Sequence, residues 1–393
     1  MSIIVSEEQF INSFNDQQKH KLYNYNEVVE LSKSITNKLE IARLTSVPKT
    51  TVNNWISGNS KPCIATQIEY LKSINLLPLV ELNNEKFMFF VELFAFLFGD
   101  GHLHKTIQTS NYCGEISDLK QIQLKLKNLF NLKSKIYSGE SIGKVVKIKN
   151  DIKQTKDVVG YSNLLWLSSS AVNRLFFIAG APAGDKVESE FILPEWLINS
   201  SLETKRCFLG VLFGNELQCP YLRTKGAFSS PQLGFHKGED KFSILSQFLN
   251  QIKGMLLEFG IKTSKIKFED SKNLRLKDNK YSRKQYFFLY SNPFNILKLF
   301  NKIPFIYAMA KQQHFEKAIK QFLKVNLYLK FDWGVYEKAV GLHKCGLGHV
   351  KIFKKLKLKK SYLYKLNYWL YYNKTPKYYD CREEIISCWS LIS

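Results

Sequence analysis

The sequence predicts an α+β protein in which one structural plan is used twice, with a small all-α module at each end. Three observations predict this. The chain has 393 residues, of which 45% are hydrophobic and 14% aromatic, as is typical of a folded chain with more than one core. Its central part contains two similar stretches of sequence. Helix-turn-helix patterns lie near both termini.

The first 80 residues predict a helical domain, 1–80, which ends in the connector "NLLPLVELNNEK". Within it, "KLEIARLTSVPKTTVNNWISGNSKP" has the proportions of a helix-turn-helix, with a turn at Ser46-Val47-Pro48 and a second helix from Thr50 to Ile56. Polar residues on that helix can donate hydrogen bonds to base edges or phosphates. They are Lys49, Thr50, Thr51, Asn53 and Asn54. An ordinary αα-hairpin is the alternative interpretation.

Residues 85–200 and 201–325 carry the repeated plan. Each copy reads as helix-strand-strand-helix-strand-strand-helix, an αββαββα layout. The first copy runs from "VELFAFLFGDG" to "NRLFFIAGAP", and the second runs from "RCFLGVLFGNE" to "NILKLFNKIPF". Similar strands occur inside them, "LFNLKSKIYS" and "EFGIKTSKIKF". The two copies therefore predict a pseudo-symmetric pair of α+β units.

Residues 333–393 predict a basic helix-turn-helix domain. Between Lys351 and Lys377 there are nine lysines and no acidic residue, and tyrosines are interleaved with them. This pattern favours contact with phosphate groups, although a lysine run is often only a solvated face. The candidate contacts are Lys359, Lys360, Ser361, Tyr362 and Lys365.

The charge balance predicts a nucleic acid as the partner. There are 57 Lys and Arg residues against 34 Asp and Glu, a formal net charge of +23, and a polyanion offsets the self-repulsion of such an excess. No apolar run is long enough to span a bilayer, and no signal peptide is evident. The seven cysteines form no CxxC pair. We therefore expect a monomer in the cytoplasm, associated with the nucleoid and not with a membrane.

The leading helix of each copy ends on an acidic residue. Ala95 and Gly99 are four residues apart, as are Gly210 and Gly214, and small residues at this spacing allow two helices to approach closely. If these helices pack together, Asp100 and Glu216 converge at one end. Two carboxylates at helix C-termini repel each other and face an unfavourable dipole. A divalent cation, Mg²⁺ or Mn²⁺, would relieve both effects.

"LFAFLFGDGHL" and "FLGVLFGNELQCP" resemble the two diagnostic helices of single-chain LAGLIDADG homing endonucleases. "GAPAGDKVESEFILPEWL" is similar to the segment that joins the repeats in archaeal members, and "NPFNILKLFNKIPFIY" resembles the closing helix of the second repeat. The resemblance covers the two copies and leaves the terminal modules outside. It implies a site-specific double-strand DNA endonuclease. In this family each repeat lays a four-stranded sheet in the major groove, and one acid from each helix holds the catalytic metal.

Two assignments remain open within this resemblance. An ungapped overlay places Asn215 opposite Asp100, whereas members whose second motif reads Leu-Phe-x-x-acid place the ligand at Glu216. We favour Glu216 because an asparagine is a weak Mg²⁺ ligand. Leu217 stands where a glycine is usual, so a distorted turn is expected. Lys284 matches the basic residue that assists catalysis in the family, or it is a strand-edge lysine that contacts phosphate. The first copy offers no clear counterpart.

His102 and His104 share one strand face, and we expect them to face DNA because further zinc ligands are missing. Two other functions are compatible with the resemblance. One is a transcription regulator on a catalytically decayed LAGLIDADG scaffold, and the other is an RNA-splicing maturase, which would add RNA as a partner. An intein is not expected, because the chain begins with Met and lacks a terminal His-Asn pair.

Overall fold

The computed structural model describes residues 3–149, 152–223, 227–276, 278–372, 374–376 and 378–379. It confirms a mixed α+β fold. The elements of the N-terminal region are, in chain order, β1 (Ile3–Val5), α1 (Glu7–Asn12), α2 (Asp16–Leu31), α3 (Lys38–Thr45), α4 (Lys49–Ile56), α5 (Cys63–Ser73) and β2 (Leu79–Val80). Strands β1 and β2 pair antiparallel.

Helices α2, α3 and α4 enclose a small core of their own. It contains Val28, Ile41, Val47 and Val52. Ser46 has a φ of 56°, so the chain reverses between α3 and α4 through a left-handed residue. Helix α4 therefore lies where the second helix of the helix-turn-helix pattern was predicted. Helices α1 and α5 instead bury their apolar residues in the large core of the central region.

The first copy has the predicted αββαββα order. Its elements are α6 (Glu85–Phe98), β3 (Gly101–Leu103), β4 (Ser110–Cys113), α7 (Ile116–Phe130), β5 (Lys135–Lys149), β6 (Ile152–Leu167) and α8 (Ser170–Ile178). Helix α6 begins where the Asn84 side chain accepts a hydrogen bond from the Phe87 amide, and every residue from Phe89 to Phe98 is buried. A helix that is apolar on all sides lies inside a protein. The apolar run before Asp100 is thus the centre of the fold.

The second copy follows a short helix, α9 (Glu195–Ile198). Its elements are α10 (Leu202–Glu216), β7 (Gln232–Gly238), α11 (Phe242–Glu258), β8 (Lys267–Leu274), β9 (Tyr281–Phe288) and α12 (Pro293–Lys302). The first predicted strand of this copy is missing from the residues that the structure describes: between α10 and β7 they form only an isolated bridge, Leu222 to Phe228. Pro220 and Pro231 lack the amide hydrogens that a strand ladder needs. The described residues of this copy therefore form three of the four predicted strands.

Seven strands form one antiparallel sheet in the order β3-β4-β6-β5-β8-β9-β7. The two copies are joined through β5 and β8, where Val146 lies opposite Leu274 and Ile148 lies opposite Lys272. The long hairpin of the first copy thus reaches the sheet of the second.

The C-terminal region contains α13 (Met309–Lys344), α14 (His349–Lys355) and α15 (Ser361–Tyr371). The first half of α13 packs in the central core. Its second half and the two following helices enclose a separate core of Val335, Ala339, Ile352, Tyr362, Leu366 and Trp369. Residues 380–393 of the predicted domain, and Lys377 of its lysine run, lie outside the described residues. In the part of the chain that is described, no helix is both long and apolar enough to cross a bilayer.

Candidate active site

The C-terminal ends of α6 and α10 meet in the middle of the molecule. The rings of Phe98 and Phe208 lie with their centroids 5.6 Å apart. A methyl group placed on Gly99 would lie 3.3 Å from Cβ of Asn215 and 3.3 Å from Cγ of Glu216. Because Asp100 follows Gly99 directly, the two acids that end these helices are brought together, as the sequence predicted.

The glycines of α10 do not face α6. A methyl group on Gly210 would lie 2.7 Å from the carbonyl oxygen of Pro304, and one on Gly214 would lie 2.5 Å from that of Ile306. The Ile306 amide donates a hydrogen bond to the Gly210 carbonyl at 3.1 Å. The predicted contact between small residues of both helices was therefore wrong for α10. Its glycines accommodate the backbone segment between α12 and α13, where no side chain would fit.

Both carboxyl groups have raised pKa values. Burial, and then the nearby charge of Asp100, raise the pKa of Glu216 from its ordinary value of 4.5 to about 7. Partial burial also raises the pKa of Asp100, against the lowering effect of Lys186 and Lys311. Such a pair is unfavourable unless a cation or a proton is shared between them.

A lysine caps each of these two helices. Lys186 Nζ donates to the carbonyl oxygens of Gly99 and, at 2.6 Å, Gly101. Lys311 Nζ donates to those of Gly214 at 2.6 Å and Leu217 at 2.8 Å. The last carbonyls of a helix lack partners and carry partial negative charge. The two ammonium groups satisfy them and lie within electrostatic reach of both acids.

These lysines were missed from the sequence, although they occupy corresponding places in the two copies. Lys186 belongs to the segment that follows α8, and Lys311 lies at the start of α13, shortly after α12. Burial lowers the pKa of both lysines. Their positions in the sequence could have indicated them. In each copy, the lysine comes after the last helix and after a proline that follows that helix. Lys186 in "GAPAGDK" is thus the counterpart of Lys311, and not of Lys284.

The segment that carries Lys186 is held by the second copy. Lys237 Nζ donates to the carbonyl oxygens of Lys186 and Ser189, and burial lowers the pKa of Lys237 to about 8. Arg275 pairs with Asp185 at 2.8 Å and also with Glu188. These contacts fix the position of Lys186 relative to α10.

Glu216 fits the role of second ligand better than Asn215 does. The amide nitrogen of Asn215 is buried without a hydrogen-bond partner, and the side chain packs against Gly99. Glu216 interacts electrostatically with Asp100, Lys186 and Lys311, and also with Lys284. Lys284 on β9 lies opposite His236 on β7. Its predicted place beside the acids is therefore compatible with the structure.

Metal-binding side chains near the acids are few in the described part of the chain. Among the described residues there is no group of three or more His, Cys, Asp or Glu side chains that could hold a metal ion. The rings of His102 and His104 pack edge to face, with centroids 4.8 Å apart, and His104 also contacts Trp166. Two carboxylates suit Mg²⁺, which is commonly bound by one or two carboxylates together with phosphate oxygens and water.

The predicted DNA contacts of the terminal modules are only partly accessible. Lys49, Thr50 and Asn54 are exposed on α4, and Thr51 and Asn53 are half-buried. Lys359, Lys360 and Ser361 are exposed at the start of α15.

Two residues of the C-terminal module that were predicted to contact DNA bind another side chain of the protein instead. Tyr362 is buried and donates to Asp332, whose carboxylate also pairs with Lys365 at 2.7 Å. Tyr362 was therefore assigned wrongly to the DNA-facing surface. The lysine run contains no acid, but Asp332 on α13 reaches it from outside the run.

No family model matches the chain. It is 31% identical over 287 residues to the DNA-directed RNA polymerase subunit Rpo1N of Methanocaldococcus jannaschii, a match that covers 72% of this chain and 20% of that protein. It is 29% identical over 201 residues to the tRNA-splicing ligase RtcB of the same organism, covering 50% and 20%. Among solved structures, the homing endonuclease I-DmoI in complex with DNA and Ca is similar with a TM-score of 0.32 and 15% identity, covering 59% of this chain and 100% of that one.

The chain spans about a fifth of the length of these two curated relatives. A polymerase subunit and a ligase differ in activity. Similarity to about a fifth of each protein therefore does not assign either activity to this chain. Membership of the LAGLIDADG family stays a prediction.

The raised pKa of Glu216 predicts how metal-free protein responds to pH. A carboxyl group whose pKa is higher in the folded than in the unfolded state favours folding while it is protonated. Stability should therefore fall as pH rises from about 4.5 to about 7. Thermal melts of the wild type and Glu216→Gln across this range would test it: the wild type should lose more stability than the variant. If stability changes with pH in the same way for both proteins, the raised pKa of Glu216 is contradicted.

Replacement of Lys311 by methionine should destabilise the protein by about 2–3 kcal/mol, because the carbonyls at the end of α10 lose their buried donor. Lys317→Met, an exposed change on the same helix, is the matched control and should stay within about 0.5 kcal/mol. Chemical denaturation of both variants gives the comparison. Equal stabilities would show that the Lys311 contacts contribute nothing to folding.

Proposed function

We propose that the chain is a site-specific double-strand DNA endonuclease of the LAGLIDADG type. One observation carries the proposal: two acids at the C-terminal ends of two packed central helices share one site with three lysines. Raised carboxyl pKa values beside a specific set of charges are typical of functional sites. The net charge of +23 suits a polyanionic substrate.

In this proposal Asp100 and Glu216 are the residues that would hold Mg²⁺ or Mn²⁺. The bound metal would activate water and stabilise the leaving oxygen of a phosphodiester. Lys186 and Lys311 fix the two helix ends through the carbonyls that they cap, and so fix the spacing of the acids. Lys284 lies on the strand side of Glu216, where an ammonium group offsets negative charge on a phosphate.

The seven-stranded sheet and the N-terminal module supply the surfaces for DNA in this proposal. His102 lies on β3 and His104 directly follows it, next to Asp100, so both would contact nucleotides near the cut. The exposed Lys49, Thr50 and Asn54 of α4 would contact DNA outside it, and an asparagine is suited to reading adenine. Lys359, Lys360 and Ser361 would contact phosphates.

The proposal is tested by incubating the full chain with a plasmid library of genomic fragments, with Mg²⁺ and with a chelator. Linear plasmid with ends at a common sequence is expected only when the metal is present. Direct metal binding is measured in parallel with Mn²⁺ by electron paramagnetic resonance, with and without duplex DNA. If the protein binds no Mn²⁺ either with or without duplex DNA, the proposed metal site is wrong. This holds whether or not the library contains a sequence that the protein cuts.

A DNA-binding regulator on the same scaffold is the second candidate. The irregular segment between Glu216 and β7 favours it, because the strand expected beside the second acid is not formed there by the described residues. Duplex binding by the full chain with neither Mn²⁺ binding nor cutting would support the regulator instead.

A further inference from the structure

Helix α15 has aromatic residues on two opposite sides. One side, with Tyr362, Leu366 and Trp369, is buried against α13 and α14. The other side carries Tyr364, Tyr368 and, directly after the helix, Tyr372. These three residues are called the tyrosine face below. Their exposed fractions are 71%, 47% and 62%. A solvated helix face is ordinarily polar, so a row of exposed rings indicates a binding surface.

The rings of the tyrosine face follow one another along the helix. They recur every four residues and so lie on one side, with a rise of about 6 Å from one to the next. The centroids of Tyr368 and Tyr372 are 5.5 Å apart. The ammonium group of Lys374 lies 5.2 Å from the Tyr368 centroid, which places a cation beside the rings.

The stretch of sequence that carries the tyrosine face is strongly basic, as suits binding to phosphates. Residues 351–377 include nine lysines and no acidic residue. Lys351, Lys354, Lys355, Lys357, Lys359 and Lys360 are exposed. The same combination recurs on the neighbouring part of α13, where exposed Tyr328 and Phe331 line a groove of about 880 Å³ with Lys324, Lys357 and Lys359.

The face is poorly suited to reading a duplex. Base edges in the major groove are distinguished by side chains that make paired hydrogen bonds, mainly Arg, Lys, Asn and Gln. The tyrosine face offers flat rings with a single hydroxyl each, and Lys365 is paired with Asp332. Rings beside lysines are instead the combination that binds unpaired strands, whose bases stack on aromatic side chains.

We propose that the tyrosine face of α15 binds an unpaired nucleic-acid strand by stacking its bases on Tyr364, Tyr368 and Tyr372, while the neighbouring lysines bind its phosphates. The strand is DNA or RNA, since both present the same bases and phosphates to such a surface. The site lies outside the two copies, so it is independent of the proposed cutting at Asp100 and Glu216.

The test uses the full chain and fluorescence anisotropy with labelled single strands of about 12 nucleotides, one oligothymidylate and one oligouridylate, and with a duplex of the same length. The variant replaces all three tyrosines by alanine. We expect its affinity for at least one single strand to fall about tenfold or more, and its duplex affinity to change less than about threefold. The arm that loses affinity identifies DNA, RNA or both as the ligand.

Two controls separate stacking from other roles. Replacement of the three tyrosines by phenylalanine keeps the rings and should retain single-strand binding within about twofold, whereas Tyr23→Ala, at an exposed tyrosine of α2, should change nothing. Equal losses in the alanine and phenylalanine variants would overturn stacking in favour of hydroxyl contacts. No loss for either strand, or an equal loss for the duplex, would overturn the proposal. Cutting by the alanine variant should be unchanged if the chain is a nuclease.

Discussion

Replacement of Asp100 by asparagine, or of Glu216 by glutamine, should lower the rate of DNA cutting by at least about 100-fold while duplex binding remains. Each change keeps the size of the side chain and removes one of the two charges that would hold the metal. It also removes the repulsion between the acids, which raises the pKa of Glu216. Both variants should therefore fold at least as stably as the wild type near neutral pH.

Rates and gel shifts on one cleavable site, measured side by side, check this result. Glu140→Gln, at an exposed acid on β5, is the matched control and should cut normally. If both site variants cut at the wild-type rate, the acids are not the metal ligands. If Glu216→Gln cuts normally and Asn215→Ala does not, the second ligand was assigned to the wrong residue.

Alanine at Gly214 should lower the free energy of unfolding by about 2–3 kcal/mol. Its methyl group would lie 2.5 Å from the Ile306 carbonyl oxygen and 3.2 Å from Cβ of Ala308. The obstacle is mostly backbone, so it cannot turn aside as a flexible side chain would. The segment that leads to Lys311 would have to move, and the cap on α10 would move with it.

Gly254→Ala is the control for this prediction. Gly254 also lies inside a helix, α11, but a methyl group there meets nothing within 4 Å. Alanine should stabilise the helix at this position by about 0.5–1 kcal/mol. Thermal melts should thus shift in opposite directions for the two variants. A Gly214→Ala protein as stable as the wild type would show that the contact with residues 304–308 is loose.

Much of the first copy could be predicted from the sequence because its signals are local. The run before Asp100 is apolar on all sides, which indicates a buried helix, and Gly99 and Gly101 mark its end. The αββαββα order of this copy followed from the spacing of apolar strands and turn residues. The convergence of the acids was predicted from small residues spaced four apart on both helices, and the two helix ends do meet, although Gly210 and Gly214 face another segment.

The residues that were missed act over long distances in the chain. Lys186 and Lys311 cap helices that end far from them in sequence, and nothing in their own neighbourhoods shows which carbonyls they reach. Asp332 on α13 likewise bonds to Tyr362 and Lys365 on α15, which lie 30 and 33 residues later in the chain. Gly210 and Gly214 carried a correct signal, close approach of another backbone, but the sequence does not show which segment approaches. In the second copy, the described residues between α10 and β7 form no regular strand, and this segment contains Leu217 and two prolines.

The joining of β5 to β8 leaves β3 and β7 as the outer strands of the sheet. The Leu103 carbonyl on β3 accepts a hydrogen bond from Gly184, and Gln232 on β7 accepts one from Gln218. Unpaired backbone at a sheet margin is where β-rich proteins recruit further chains and aggregate. Strands β5 and β8 pair with each other, and part of the backbone of the outer strands β3 and β7 is already hydrogen-bonded. The fold therefore limits the addition of a strand from a neighbouring molecule.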